Sequence, residues 1–159
     1  MSYQAVILTV SDSCAAGTRT DTSGPAIRAM LENAGFAVQA MQTVLDEEGQ
    51  ISAAIVHACD ILQADLVVTT GGTGLSPRDV TPEATLAVLD REIRAIPVAM
   101  WVEGLKSTPR AMLSRAVAGT RGHTLVLNVP GSEKAARENL GAVVATLDHA
   151  LRMLAGGGH

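Results

Sequence analysis

Short apolar runs alternate with amphipathic stretches from one end of the chain to the other. Ala5-Val6-Ile7-Leu8-Thr9-Val10, Ala64-Asp65-Leu66-Val67-Val68 and Thr124-Leu125-Val126-Leu127-Asn128-Val129 are nearly continuous apolar segments rich in β-branched residues. Such runs suit strands buried on both faces of a parallel sheet. Phe36–Val44 alternates more, so it is expected nearer a sheet edge. Between these runs the spacing changes to that of helices. Pro25–Asn33 carries an apolar stripe of Ala26, Ile27, Met30 and Leu31 and stops at Asn33-Ala34-Gly35. Further helices are expected over Glu48–Gln63, Pro82–Leu89 and Ala95–Lys106. A last one, over Glu133–Leu154, turns Leu140, Val143, Val144, Leu147 and Leu151 to the core, with Ser132 as its cap. Asp90–Arg94 reads as a solvated charged run, and Pro109–Gly122 as strand and turn. Strands alternating with helices predict an α/β fold, three-layer α/β/α with a mostly parallel central sheet.

Composition narrows the class. A chain of 159 residues is most simply one domain, here 1–155, followed by a flexible glycine-rich tail over 156–159. Hydrophobic residues make up 47% and aromatic ones 2%, so the core is Ala, Val, Leu and Ile. The net charge of −4 leaves no basic footprint for nucleic acid, and any anionic ligand must be met by local donors. Cys14 and Cys59 make no disulfide framework and have no metal spacing. His57 and Cys59 sit two apart in one helix and are expected to pack rather than ligate. Met1 leads straight into the first strand, and no apolar run approaches the roughly 20 residues of a membrane span. The expectation is a cytoplasmic protein without a membrane partner.

The candidate chemistry lies in the turns that follow the strands. Thr70-Gly71-Gly72-Thr73-Gly74-Leu75-Ser76-Pro77-Arg78-Asp79-Val80-Thr81-Pro82-Glu83 runs from a strand through a glycine turn into a helix. Ligands bind at this carboxyl edge in open α/β sheets. Gly71, Gly72 and Gly74 let backbone N–H groups face an anion. Hydroxyls of Thr70, Thr73 and Ser76 are candidate phosphate donors, Arg78 a candidate anion clamp and Thr81 a candidate helix cap. Asp79 beside them is placed to hold a divalent cation. The loop is neither a Walker A loop nor a G-x-G-x-x-G turn. Three other turns join the same edge. The first is Ser11–Pro25, with Ser11, Asp12, Ser13, Asp21 and Ser23, one of which caps the next helix, Ser23 being the candidate. The second holds Asp46, either a helix cap or a second carboxylate for a metal. The third is Asn128-Val129-Pro130-Gly131-Ser132, where the Asn128 amide suits the edge of a heterocycle. Ser114 and Arg115 are further ligand candidates, Arg115 being equally suited to an ion pair, and Trp101 suits core or subunit-interface packing.

Leu66-Val67-Val68-Thr69-Thr70-Gly71-Gly72-Thr73-Gly74 followed by Arg78-Asp79-Val80-Thr81-Pro82-Glu83-Ala84 resembles the signature of the MogA/MoaB molybdopterin-binding family, which includes the G domain of gephyrin-type proteins. Ser11-Asp12 with Asp21-Thr22-Ser23-Gly24-Pro25, the Ala111–Arg115 block with Ala118-Gly119, and Asn128–Ser132 agree with it in order, so the resemblance spans essentially the whole chain. It implies a three-layer α/β/α fold, a trimer or hexamer, and adenylation of molybdopterin by Mg²⁺-ATP with release of pyrophosphate. It implies a molybdenum-insertion protein downstream. It also implies that Asp46 and Asp79 are the catalytic, Mg²⁺-holding aspartates. The ligand-contacting set it implies is Ser11, Asp12, Asp21, Ser23, Gly71, Gly72, Thr73, Gly74, Ser114, Asn128, Pro130, Gly131 and Ser132. One segment departs from the family pattern. A Glu-x-Met-Arg-type stretch and a following Ser are replaced where Val98, Met100, Trp101 and Gly104 stand. That departure implies, as the alternative, a MoaB-type protein that binds molybdopterin without efficient adenylation.

Overall fold

The computed structural model describes residues 2–158, so Met1 and His159, the last residue of the expected tail, lie outside the described residues. Six strands form one sheet: β1 Gln4–Val10, β2 Ala37–Val44, β3 Leu66–Thr70, β4 Arg91–Glu92, β5 Ala118–Arg121 and β6 Thr124–Val129. Their spatial order is β2-β1-β3-β6-β5-β4. The β2, β1, β3 and β6 strands run parallel, and β4 and β5 continue the sheet in antiparallel pairs. Helices α1 Asp12–Ala15, α2 Ser23–Asn33, α3 Glu48–Val56, α4 Thr81–Leu86, α5 Ala95–Leu105 and α6 Glu133–Leu154 complete the chain. The alternating strand expected over Phe36–Val44 is indeed the edge strand β2.

Period-two alternation sorts the strand side chains into two cores. Ala5, Ile7, Leu66, Val68, Leu125 and Leu127 pack with Ile27 and Leu31 of α2, Met100 of α5 and Leu140, Val143, Leu147 and Leu151 of α6. Val6, Leu8, Val10, Val67 and Val126 point the other way, to Ile51 and Ile55 of α3 and Ala84 of α4. This is the three-layer arrangement. Each fully buried Leu or Ile stabilises it by about 1.5–3 kcal/mol.

Several local expectations fail for physical reasons. Pro109–Leu113 forms a 3₁₀ turn rather than a strand, started by Pro109 and by the Thr108 hydroxyl, which accepts from Arg110 N–H. Part of the charged run pairs as β4, held to β5 through backbone bonds while its side chains stay exposed. The helix expected to reach Gln63 stops being α at Val56 and continues as one π turn, His57–Ile61. In that turn Cys59 is buried, as expected, but His57 is exposed and does not pack. Burial pushes the Cys59 thiol up to about 11, which keeps it inert at neutral pH.

The strand order fixes where a ligand can sit. From β1 the chain crosses to β2 on one side and to β3 on the other, so a crevice opens at the carboxyl ends of β1 and β3.

Candidate active site

Two loops on this edge are stapled by an exchange of hydrogen bonds. Asp12 N–H donates to Asp46 Oδ2 at 2.8 Å, and Asp46 N–H donates to Asp12 Oδ1 at 3.0 Å. Asp46 is therefore not a helix cap. Helix α3 begins at Glu48 after Glu47, and the Asp46 carboxylate is left in the crevice. Arg78 grips Asp12 with two bonds, both 3.0 Å, so its guanidinium is engaged by protein and not offered as the anion clamp expected from sequence. Ser11 caps the short α1, its hydroxyl accepting from Cys14 N–H at 3.2 Å, where the sequence suggests only loop.

The electrostatics of the two aspartates differ. The Asp46 backbone N–H, together with Arg78, holds the Asp12 carboxyl below the usual range. Burial above all, with the charges of Asp12 and Asp79 adding to it, pushes the Asp46 carboxyl above the usual range. Its ionised form is thus disfavoured by the fold. The associated stability is fully present below the unfolded pKa of about 3.9 and is lost as pH rises through the folded value. Asp46→Asn keeps an oxygen for Asp12 N–H and cannot ionise. We expect it to melt above wild type at pH 7, with the gap closing toward pH 4. Thermal melts at the two pH values check this, and a lower melting point at pH 7 would contradict it.

The glycine loop is shaped by close approach as much as by anion chemistry. Gly71 and Gly72 have φ of +102° and +68°. A Cβ on Gly71 would strike the Val10 carbonyl oxygen, and one on Gly72 would strike Thr81 Oγ1 and approach Asp46 Oδ1 to 3.2 Å. Gly71 N–H donates to Val129 O at 3.1 Å, which removes it from the expected anion donors. Thr81 is not the cap of α4. It is the first helical residue, and its hydroxyl donates to Gly71 O at 2.9 Å. Thr70 is likewise withdrawn, donating to Pro130 O at 2.7 Å. Arg115 takes the ion-pair role, to Glu83, and also donates to Gly74 O at 2.9 Å and Asp79 O at 2.7 Å. It stitches the loop from outside.

Two more residues change role. Ser23 lies inside α2, and the bond to its first turn comes from Asp21 Oδ1, which accepts from Gly24 N–H at 2.9 Å. The other Asp21 oxygen accepts from Thr9 Oγ1 at 2.7 Å. Asn128 is fully buried. Its Oδ1 accepts from Val117 N–H at 3.1 Å, and its Nδ2 donates to Thr69 Oγ1 at 2.8 Å and Thr85 Oγ1 at 3.1 Å. The amide is consumed between sheet and α4, so it does not reach a heterocycle. Asn128→Ala removes the partner of Val117 N–H and of the Thr69 hydroxyl, and one of the two partners of the Thr85 hydroxyl, which keeps its bond to Thr81 O, and it is expected to cost about 2–4 kcal/mol in chemical denaturation. A loss under about 1 kcal/mol would contradict the network.

Two clefts meet over this floor. One, of about 200 Å³, is lined by Ser11, Asp21, Ser23, Asp46, Gly71 and neighbours. The other, of about 720 Å³, is lined by Thr73, Gly74, Ser114, Pro130 and Ser132, and by residues of α5 and α6. Arg19, Gly72, Asp79 and Gly131 line both. Of the candidate set only Asp12 and Asn128 line neither. Sequence reasoning misses Arg19, Glu138 and Asn139: Arg19 sits in a polar loop without a motif, and the other two read as part of a core-packing helix. Among the described residues no three His, Cys, Asp or Glu side chains gather as a metal cage. Asp46 and Asp79 form a two-carboxylate wall, which fits Mg²⁺, an ion held by one or two carboxylates together with substrate phosphates.

Residues 6–149 match the family described as "Probable molybdopterin binding domain". The chain belongs to this molybdopterin-binding domain family. Among its relatives, molybdopterin adenylyltransferase of Helicobacter pylori J99 is 37% identical over 94% of this chain and 86% of its own length. Gephyrin of Dictyostelium discoideum is 40% identical over 93% of this chain and 22% of its own length. The chain spans less than half the length of the gephyrin-type and bifunctional relatives it matches. Among solved structures, the molybdopterin biosynthesis enzyme MoaB of Thermus thermophilus is 49% identical, with a TM-score of 0.92 covering 97% of both chains. The family's fold is the three-layer one expected from the sequence.

Proposed function

We propose that this protein is a molybdopterin adenylyltransferase of molybdenum cofactor biosynthesis. The observation that carries this reading is a pair of clefts sharing one wall at Gly72, Asp79 and Gly131, as a reaction joining two substrates requires. A relative named molybdopterin adenylyltransferase, of whose length this chain covers 86%, supports it. In this reading the terminal phosphate oxygen of molybdopterin forms a bond to the α-phosphorus of ATP, and the bond to the β-phosphate oxygen breaks, releasing pyrophosphate. No protein nucleophile is needed, and the chain acts by positioning and charge. Asp46 and Asp79 would hold Mg²⁺, which supplies neutralisation of polyphosphate charge. Backbone groups of Gly72, at the join of the clefts, and of Thr73 and Gly74, in the larger one, would steady phosphate oxygens. Ser11, Asp21, Ser23, Ser114, Gly131 and Ser132 complete the contact surface. Asp12 acts one step back, by fixing Asp46 and Arg78.

The assembly we propose is a homotrimer. Val98, Val102 and Leu105 of α5 are exposed on one helical face, with the half-buried Trp101 beside them. A neighbouring copy would cover the face. No helix among the described residues is long and apolar enough to cross a membrane, in keeping with a cytoplasmic enzyme that hands its product to a molybdenum-insertion protein. The MoaB-type alternative, binding without efficient adenylation, is favoured by the departure at Val98, Met100, Trp101 and Gly104. The Met100 side chain of that segment is fully buried, and Gly104 borders the larger cleft. A coupled assay separates the two. The enzyme releases pyrophosphate only when molybdopterin, ATP and Mg²⁺ are all present, whereas the binding protein retains molybdopterin and releases none.

A further inference from the structure

We propose that the larger cleft reads the 2-amino-4-oxopyrimidine edge of the pterin through Glu138 and Asn139 of α6. This rests on the adenylyltransferase reading, in which a pterin and a nucleotide share the site. Asn139 lines the cleft and is 4% exposed. Unlike Asn128, its amide makes no hydrogen bond to any of the described residues. Buried amides are normally paired, so one left open toward a cleft points to a ligand. Its Nδ2 lies 3.6 Å from where a Cβ on Gly104 would stand, and that Cβ would also press on Ala111 Cβ at 2.9 Å. Glycine at position 104 therefore keeps the space beside the amide clear.

Glu138 is the adjoining residue in the cleft lining. Its side chain is 23% exposed, and its ion pair to the exposed Lys134 is long, at 3.9 Å. So loose a pair does little to occupy the carboxylate. A carboxylate accepts and never donates, while an amide offers both. The pterin edge presents two donors side by side, N3–H and the 2-amino group, followed by the 4-oxo acceptor. Glu138 matches the donors and Asn139 Nδ2 matches the 4-oxo oxygen. Adenine presents a ring-nitrogen acceptor beside its amino group, which a carboxylate rejects. The pair thus sorts the two substrates, sending the pterin to the larger cleft and leaving ATP to the smaller one.

The test is equilibrium binding of molybdopterin and of Mg²⁺-ATP, measured separately on wild type, Glu138→Gln and Asn139→Leu, with melting curves confirming each fold. Both variants are expected to bind molybdopterin about ten- to a hundredfold more weakly, since a buried partner is left unpaired. ATP affinity is expected to stay at the wild-type value. Asn139→Asp turns the local donor into an acceptor. It is expected to weaken molybdopterin binding further than Asn139→Leu does, because an acceptor then faces the 4-oxo acceptor, whereas a packing role alone would make the near-isosteric Asp the milder change. Unchanged molybdopterin affinity in both variants, or a loss confined to ATP, overturns the assignment. If wild type binds no molybdopterin, the adenylyltransferase reading falls and this assignment falls with it, an outcome distinct from the first two.

Discussion

Asp79→Asn is expected to lose turnover by about 10²–10³-fold or more while folding normally and still binding molybdopterin. The geometry isolates the charge. Asp79 lines both clefts, so in the proposed reaction it would face both substrates. Its Oδ2 accepts from Ser76 N–H at 3.0 Å, a bond that the Asn carbonyl keeps. Its backbone bonds, from Arg115 and to Ser76 O, do not involve the side chain. What disappears is one negative charge beside a polyphosphate that must be neutralised for one anion to attack another. The loss should therefore appear in kcat and in Mg²⁺ dependence, with the molybdopterin dissociation constant little changed. Steady-state pyrophosphate release over a Mg²⁺ series measures this. A variant that retains wild-type kcat would remove Asp79 from the chemistry.

The second large effect concerns stability. Gly71→Ala is expected to destabilise the fold by the strain of a positive φ, about 1–3 kcal/mol. Overlap with the rigid Val10 carbonyl adds about 1–3 kcal/mol more, because β1 is a central strand that cannot give way. For a chain of this size that lowers the melting temperature by roughly 5–15 °C. Gly131 packs on Gly71 with a would-be Cβ contact of 3.2 Å, so displacement of the loop also moves the wall shared by both clefts. Calorimetry on the purified variant reads the change directly. A melting point within about 2 °C of wild type would show that the turn relaxes freely, contrary to its packing.

Much of this is legible in the residues. The apolar runs locate β1, β3 and β6, the alternation of Phe36–Val44 locates an edge, and Ser132 with its apolar stripe marks both ends of α6. The convergence of four turns follows from parallel strands alone, since their carboxyl ends share an edge. What fails are statements about hydrogen-bond partners. Asn128 reads as a ligand-facing amide because it precedes Pro130-Gly131. Whether it faces solvent depends on Thr69 and Thr85, whose placement requires β3 and α4 to be packed first. Thr70 and Arg78 carry the right groups for phosphate, yet each is engaged by a partner far along the chain. Local sequence reports what a side chain can do, and tertiary packing decides whether the group is still free. Asn139 shows the converse, a free amide inside a helix whose pattern speaks only of core.

The central claim is that the α-phosphorus of ATP is transferred to molybdopterin. The most direct measurement supplies ATP labelled at either the α- or the γ-phosphate, with Mg²⁺ and molybdopterin, and follows the label by chromatography. The account predicts that α-label moves with the pterin and γ-label leaves as pyrophosphate. Label from the γ-position on the pterin, or released as orthophosphate, would contradict it.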